Sequence, residues 1–316
     1  MSSATHQKQL ETVLKTLCAG GIAGCCAKTT VAPLDRIKIL LQGHKQHFKH
    51  LGVFSSLKQV KQKEGFLGFY RGNGVQMVRI FPYASIQFFS YEQYKKIFKL
   101  LISQPHPHMD KLVSGSMAGL TAVLCTYPLD MVRARLAFQT KGEYIHDGLV
   151  GTVKSIVTLE GGPKALFRGI VPSLLGMAPY AGISFFTFES LKTFCLDTFP
   201  NNLGKPCSSN TGGLVLILPA KLLCGGLAGA VAQTLSYPLD VVRRRIQLAS
   251  MLPESHKYTG SWYKILIFIY KEDGIVKGLF RGMSVNYIRA MPMVAVSFST
   301  YEMTKQFLGL DTGVDR

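Results

Sequence analysis

A short motif stands three times in this chain, and its spacing constrains the fold more than any other feature. Pro33-Leu34-Asp35-Arg36-Ile37-Lys38 recurs as Pro128-Leu129-Asp130-Met131-Val132-Arg133 and as Pro238-Leu239-Asp240-Val241-Val242-Arg243, at intervals of 95 and 110 residues. A small-residue motif, Ala19-Gly20-Gly21-Ile22-Ala23-Gly24, returns at the same two intervals as Ser114-Gly115-Ser116-Met117-Ala118-Gly119 and Cys224-Gly225-Gly226-Leu227-Ala228-Gly229. Two motifs that share two intervals define a threefold tandem repeat, and a fixed period fixes an architecture. Each Pro motif follows a long apolar run, so it sits towards the end of a hydrophobic helix. A proline there removes a backbone hydrogen bond and kinks the helix. Acid and base three residues apart share a helix face. Three copies invite a ring in which the acid of one copy pairs with the base of the next.

The rest of each repeat follows the same order. After the Pro motif comes a polar loop and a short amphipathic helix, expected over about 53–63, 149–159 and 261–270. These helices suit a membrane surface rather than a crossing. Each ends in an acid and a glycine (Glu64-Gly65, Glu160-Gly161, Asp273-Gly274), followed by Tyr70-Arg71-Gly72, Phe167-Arg168-Gly169 and Phe280-Arg281-Gly282. The arginines suit headgroups or helix-end carbonyls. A second apolar helix is expected over about 74–98, 171–195 and 285–307. Near its end stand Tyr91-Glu92-Gln93-Tyr94-Lys95, Phe188-Glu189-Ser190-Leu191-Lys192 and Tyr301-Glu302-Met303-Thr304-Lys305. A solvated acid–base pair of this kind contributes only a few tenths of a kcal/mol. Its threefold recurrence points to a second ring.

Composition supports a membrane protein. Of 316 residues 47% are apolar and only 17% charged, against about 25% in soluble domains. The formal charge of +18 suits an anionic solute or membrane face. The basic residues are not blocked together, which disfavours nucleic acid. Seven cysteines lack metal spacing. No nucleophile–base set, phosphate-binding glycine loop or paired-carboxylate site is visible, which disfavours an enzyme. Residues 1–14 read as a mobile polar lead without a secretory signal.

The expectation is therefore an all-α membrane protein. Six transmembrane helices form three pseudo-threefold repeats around a central cavity, with three short surface helices. The divisions are 1–14 (lead), 15–101, 108–197 and 218–308 (repeats), 198–217 (loop) and 309–316 (tail). Two helices per repeat keep all Pro motifs on one membrane face and all aromatic–acid motifs on the other. Two ionic rings, paired in alternate states, make an alternating-access gate, because unpaired intramembrane charge is costly.

From about Leu17 to Leu308, these three sets of motifs resemble the mitochondrial carrier family. The resemblance implies a multi-pass protein of the mitochondrial inner membrane with both termini on the cytosolic side. It implies a matrix gate of Asp35 with Arg133, Asp130 with Arg243, and Asp240 with Lys38, the pairs braced by Gln42 and Gln247; Ala137 stands where a third glutamine is expected. It implies a cytoplasmic gate of Glu92, Lys95, Glu189, Lys192, Glu302 and Lys305.

Substrate contacts are expected thirteen residues before each gate acid: Arg79, Gly176 and Arg289. Guanidiniums suit phosphates, which they bond bidentately. Lys28 has Val123 and Gln233 at the matching positions, so it breaks the threefold symmetry, as an asymmetric solute requires. Gly176-Met177 resembles family members that bind adenine nucleotides: a missing side chain leaves a slot, and Met177 gives a soft apolar wall. Read alone, Arg79 and Arg289 also fit structural roles, Lys28 fits a snorkelling side chain and Gly176 a packing glycine. Within the family the likeness is nearest to a coenzyme A carrier, on stretches such as Cys125–Arg133 and Leu223–Gly226. The implied function is transport of coenzyme A or a related adenine-containing phosphorylated solute, by antiport. Adenine nucleotide exchange and a ligand-activated proton leak are the alternatives. The expected partners are that anionic solute and the lipid bilayer with its cardiolipin; no cofactor, metal or nucleic acid is expected.

Overall fold

The computed structural model describes residues 2–43, 45–48, 51–101, 107–142, 148–200, 204–206, 214–252, 255–258 and 260–309. The tail expected over 309–316 lies, beyond Gly309, outside them. Nine α-helices follow in chain order among the described residues: α1 (Ser2–Gln42), α2 (Val53–Glu64), α3 (Asn73–Leu101), α4 (Pro107–Phe138), α5 (Gly148–Leu159), α6 (Ile170–Thr198), α7 (Leu218–Leu248), α8 (Trp262–Gly274) and α9 (Met283–Phe307). The six long and three short helices match the expected order. Each long helix carries one internal proline, at 33, 82, 128, 179, 238 and 292.

Two expectations change. The lead over 1–14 is not separate: α1 is continuous from Ser2. No glycine or proline interrupts residues 2–18, and Glu11 pairs with Lys15 at 2.7 Å one turn apart, the favourable orientation for a helix. Secondly, the loop over 198–217 holds two short antiparallel strands, β1 (Gly204–Pro206) and β2 (Leu214–Leu216). Among the described residues, Lys15–Gln42, Pro163–Thr198 and Pro219–Met251 are apolar enough by composition alone to cross a membrane. The other long helices, α3, α4 and α9, have 25 to 32 residues. At 1.5 Å per residue that still exceeds the ~30 Å of hydrocarbon. Charges such as Arg79, Arg133 and Arg289 lower their hydropathy.

The described chain forms two compact units, each with its own packing: Met1–Ile170 with Arg244–Thr259 and Arg281–Arg316, and Val171–Arg243 with Gly260–Phe280. In the first unit the core gathers at the Pro-motif ends of the helices. Ile37, Leu40 and Phe48 pack with Val60, Phe138 and Leu248. Met131 and Val132 pack with Ile156 and Leu166. The short helices bury a narrow stripe four residues apart: Ser56 and Val60, Thr152 and Ile156, Ile265 and Ile269.

Elsewhere the long helices turn apolar side chains outward. Phe89, Phe186, Leu223 and Met291 are all more than 60% exposed, at 66%, 73%, 70% and 82%. Exposed apolar faces of this kind belong in lipid.

The repeated glycines after the short helices are structural. Gly65, Gly161 and Gly274 have φ of 77°, 94° and 74°; Gly72, Gly169 and Gly282 have 78°, 83° and 82°. Side-chain-bearing residues rarely adopt this left-handed backbone. Glycines four apart can let two helix backbones approach closely, but the small-residue motif is used differently here. Gly21 and Gly24 in α1 receive the Phe81 and Ile80 side chains of α3, while Gly20, Gly115, Gly225, Gly226 and Gly229 face open space. The helices α1 and α3 therefore meet side chain into notch rather than backbone on backbone.

Candidate functional site

Within the first unit the Pro-motif acids draw charges from several helices. Asp35 of α1 accepts from Arg133 of α4 at 2.6 Å, the first expected gate pair. Its other oxygen accepts from Arg289 of α9, also at 2.6 Å. Arg289 in turn donates to Asn286 at 2.7 Å. Asp130 accepts from Arg79 of α3 at 3.3 Å and lies 3.6 Å from Arg244. Gln247 donates to Asp130 at 3.2 Å and to the Tyr127 hydroxyl at 3.0 Å. The Tyr127 hydroxyl itself donates a hydrogen bond to the Arg168 carbonyl at 3.0 Å. Gln247, expected as a brace, thus bonds the acid of the second Pro motif. Gln42 is fully buried, and Ala137 contributes its carbonyl to Arg36 at 3.1 Å.

Four guanidiniums therefore meet two buried carboxylates. Arg79 also reaches Thr126 and lies over the Tyr83 ring at 5.4 Å. Lys28 of α1 ends on the Met293 sulfur at 3.4 Å, a weak acceptor. The cluster holds more positive than negative charge, and in a medium of low dielectric that excess attracts an anion strongly.

The second unit supplies a recess of about 160 Å³ with one largely apolar and one polar side. Gly176, Met177 and Tyr180 of α6 form one side, and Gln233, Ser236, Asp240 and Arg243 of α7 the other. A Cβ added at Gly176 would meet Leu239 at 3.5 Å, ordinary contact, so the glycine leaves room rather than allowing a tight backbone approach. The buried Ser236 hydroxyl has no hydrogen-bond partner among the described residues. Asp240 and Arg243 share the recess with Gly176 and Met177, so two sets of residues kept separate in the sequence come together. Asp130 and Arg243 belong to different units, as do Asp240 and Lys38; those two gate pairs remain expectations.

The aromatic–acid–base motifs lie towards the other helix ends. Glu189 and Lys192 pair within α6 at 3.0 Å, both about 40% exposed. Lys305 stands over the Tyr301 ring at 5.6 Å. Among the described residues of the first unit, Glu92, Lys95, Glu302 and Lys305 form no ion pair. Among the described residues of that unit, charge pairing between helices is thus present at the Pro-motif end and absent at the other.

Sequence reasoning missed a second set of buried arginines. Arg36 Nη2 lies between both Glu64 oxygens, at 2.9 and 3.0 Å, while Nη1 donates to the Gly68 carbonyl. Arg135 bonds both Glu160 oxygens, and Arg168 adds a contact at 3.0 Å. Each pair ties a long helix to the acid–glycine end of a short one. Burial pushes the Glu160 carboxyl up, but hydrogen bonding and charge from Arg135, with help from Ser250 and Arg168, hold it below its ordinary value. The recurring acid–glycine step was a signal for these pairs. The arginines were harder to align: Arg36 is three residues past its proline and Arg135 seven past. Arg244, Asn286 and Ser236 were also missed.

Comparisons with known proteins fit this arrangement. The family profile described as mitochondrial carrier protein matches residues 9–100, 104–199 and 216–312. Solute carrier family 25 member 16 of Homo sapiens is 57% identical over 300 residues, covering 94% of this chain and 89% of the relative. Mitochondrial carrier protein CoAc1 of Arabidopsis thaliana is 42% identical, covering 95% and 91%. The mitochondrial coenzyme A transporter SLC25A42 of Danio rerio is 40% identical, covering 95% and 89%. Three tandem repeats, six long helices and a match along nearly the whole chain lead to one assignment: this protein belongs to the mitochondrial carrier family, multi-pass transporters of the mitochondrial inner membrane.

Proposed function

We propose that this carrier moves coenzyme A, or a closely related adenine-containing phosphorylated solute, across the inner membrane in exchange for a counter-solute. The observation that carries this reading is the pairing of Arg79 and Arg289 with Asp130 and Asp35 beside further guanidiniums. A phosphate bonds an arginine as a carboxylate does, with more charge. Arriving phosphates take Arg79 and Arg289 from the two acids, with Lys28 adding a third cation. The recess beside Gly176 and Met177 accepts the flat base, and the Ser236 hydroxyl and Gln233 amide offer it hydrogen bonds. The names of the Arabidopsis and zebrafish relatives favour coenzyme A over adenine nucleotides.

In this reading the Pro-motif ring is the matrix gate, completed by Asp130 with Arg243 and Asp240 with Lys38. The ring of Glu92, Lys95, Glu189, Lys192, Glu302 and Lys305 is the cytoplasmic gate, and both termini face the cytosolic side. Loss of Arg289 from Asp35 leaves that acid to Arg133 alone, so solute binding and matrix-gate strength are coupled through one carboxylate. Interactions that favour one conformation by a few kcal/mol suffice to shift such an equilibrium.

Thermal unfolding of the purified protein against coenzyme A, dephospho-coenzyme A, ADP, ATP and keto acids tests the substrate. A ligand at a hundred times its Kd raises folded-state stability by about 2.7 kcal/mol. A shift confined to coenzyme A and its relatives, followed by labelled exchange in liposomes, is the expected result. A shift with ADP or ATP alone replaces the substrate and keeps the site; a shift with keto acids alone overturns the reading of Gly176 and Met177.

A further inference from the structure

The last turns of α6 and the first turns of α7 meet in a small apolar cluster, at the ends of these helices opposite the recess of Gly176 and Asp240 in the same unit. Leu216, Ala220 and Cys224 are buried there against Phe188, Leu191 and Cys195. The Cys195 and Cys224 sulfurs lie 3.8 Å apart. Their access differs: Cys224 is buried, whereas Cys195 is half-buried and three residues from the end of α6. A single buried cysteine behaves as a small apolar residue. Two on facing helices, in contact and with one reachable, form an oxidisable pair. The neighbouring Cys25 and Cys26 differ, because successive helical residues point about 100° apart.

A disulfide needs the sulfurs to close to about 2.05 Å, a movement of under ~2 Å that side-chain rotation supplies. The turns of α6 that carry Cys195 also carry Glu189 and Lys192, and Leu191 belongs to the same cluster. A covalent tie at this point fixes that segment against α7.

We propose that Cys195 and Cys224 are a peroxide-oxidised dithiol site whose disulfide locks the ends of α6 and α7 together and slows exchange. The Cys195 sulfur attacks hydrogen peroxide and breaks its O–O bond, giving a sulfenic acid and one water. The Cys224 sulfur then attacks the sulfenic sulfur, and the hydroxyl leaves with the thiol proton as a second water. One peroxide is reduced by two electrons, and two thiols become one disulfide. A small-molecule thiol reverses the step by exchange.

The test uses the full chain in liposomes. After hydrogen peroxide and blocking of the remaining thiols, peptide mapping without reductant is expected to show residues 195 and 224 linked. Coenzyme A exchange is expected to fall about fivefold and to recover with dithiothreitol. C195A and C224A are each expected to keep their reduced rate under peroxide. Thermal unfolding gives a readout that needs no substrate: the oxidised protein is expected to melt higher than the reduced one, and neither variant is expected to shift. The proposal is overturned by absence of the linked peptide, by a link from either residue to Cys207 instead, or by a disulfide that leaves both exchange and melting unchanged. The transport readout rests on the proposed substrate. If the reduced protein moves no coenzyme A, the substrate reading fails, while the linked peptide and the melting shift still decide the thiol site.

Discussion

Arg79 and Arg289 each face a carboxylate while other guanidiniums stand beside the same acid. Truncating either leaves its acid paired, so the protein folds while a phosphate contact is lost. Arg79→Ala and Arg289→Ala are each expected to reduce liposome exchange by about 30–150-fold, equivalent to about 2–3 kcal/mol for hydrogen bonds to a charged group, with unchanged detergent-extracted yield. Normal exchange by either variant removes that residue from the contact site. Gln247 holds Asp130 and Tyr127 together. Gln247→Ala is expected to cost about 1–3 kcal/mol, read as a lower melting temperature, because it leaves a buried hydroxyl and carboxylate short of a donor. The depth of Arg79 and Arg289 was legible from their register before the gate acids. Their sharing of Asp130 and Asp35 was not, because it depends on how far a guanidinium reaches between helices distant in sequence. Arg244 was hidden for another reason: Arg243, Arg244 and Arg245 are consecutive, and only helix phase decides which one meets Asp130.

The short helices hold the Pro-motif ends through buried ion pairs, and their pH response follows. The Glu160 carboxyl titrates below its ordinary value in the folded state. Its stabilisation is therefore complete above the unfolded pKa of about 4.3 and is lost as pH falls through the folded value. The melting-temperature gap between the wild type and Glu160→Gln is expected to be widest near pH 7 and to shrink below about pH 4; a gap that grows on acidification would refute the assignment. The glycine ending the next turn is equally constrained. At Gly72 φ is 78°, and a Cβ would lie 3.0 Å from the Arg133 carbonyl oxygen. Gly72→Ala is expected to destabilise by about 1–3 kcal/mol from backbone strain alone, measured by thermal unfolding. Helix order and type were readable because three copies of each pattern reinforce one another. The rotational phase of α1 was not: Gly20, Gly21 and Gly24 offer several equivalent faces, and only contact with Phe81 and Ile80 selects one. The continuation of α1 to Ser2 escaped for a related reason, since polarity marks solvent but does not stop a helix.

Across the molecule, apolar side chains face outward along the long helices while charge gathers between them. This inversion of the soluble pattern ties folding to a lipid or detergent surround. The threefold order was legible in the sequence because the intervals repeat; the division into two compact units was not, since no composition break marks Ile170 or Arg243. The two partners of Asp35 also carry a consequence for traffic in each direction. An empty transporter has nothing to take Arg289 away, so its own carboxylate acts as a resident competitor. Conversion without cargo then has to break that contact unaided, whereas cargo arriving from either side relieves it. Vesicles preloaded with unlabelled coenzyme A are therefore expected to take up label at least about tenfold faster than empty ones, and Asp35→Asn is expected to narrow that ratio. Where both sides load the same solute, such a transporter swaps its pools without changing their totals, and net entry then requires a different counter-solute.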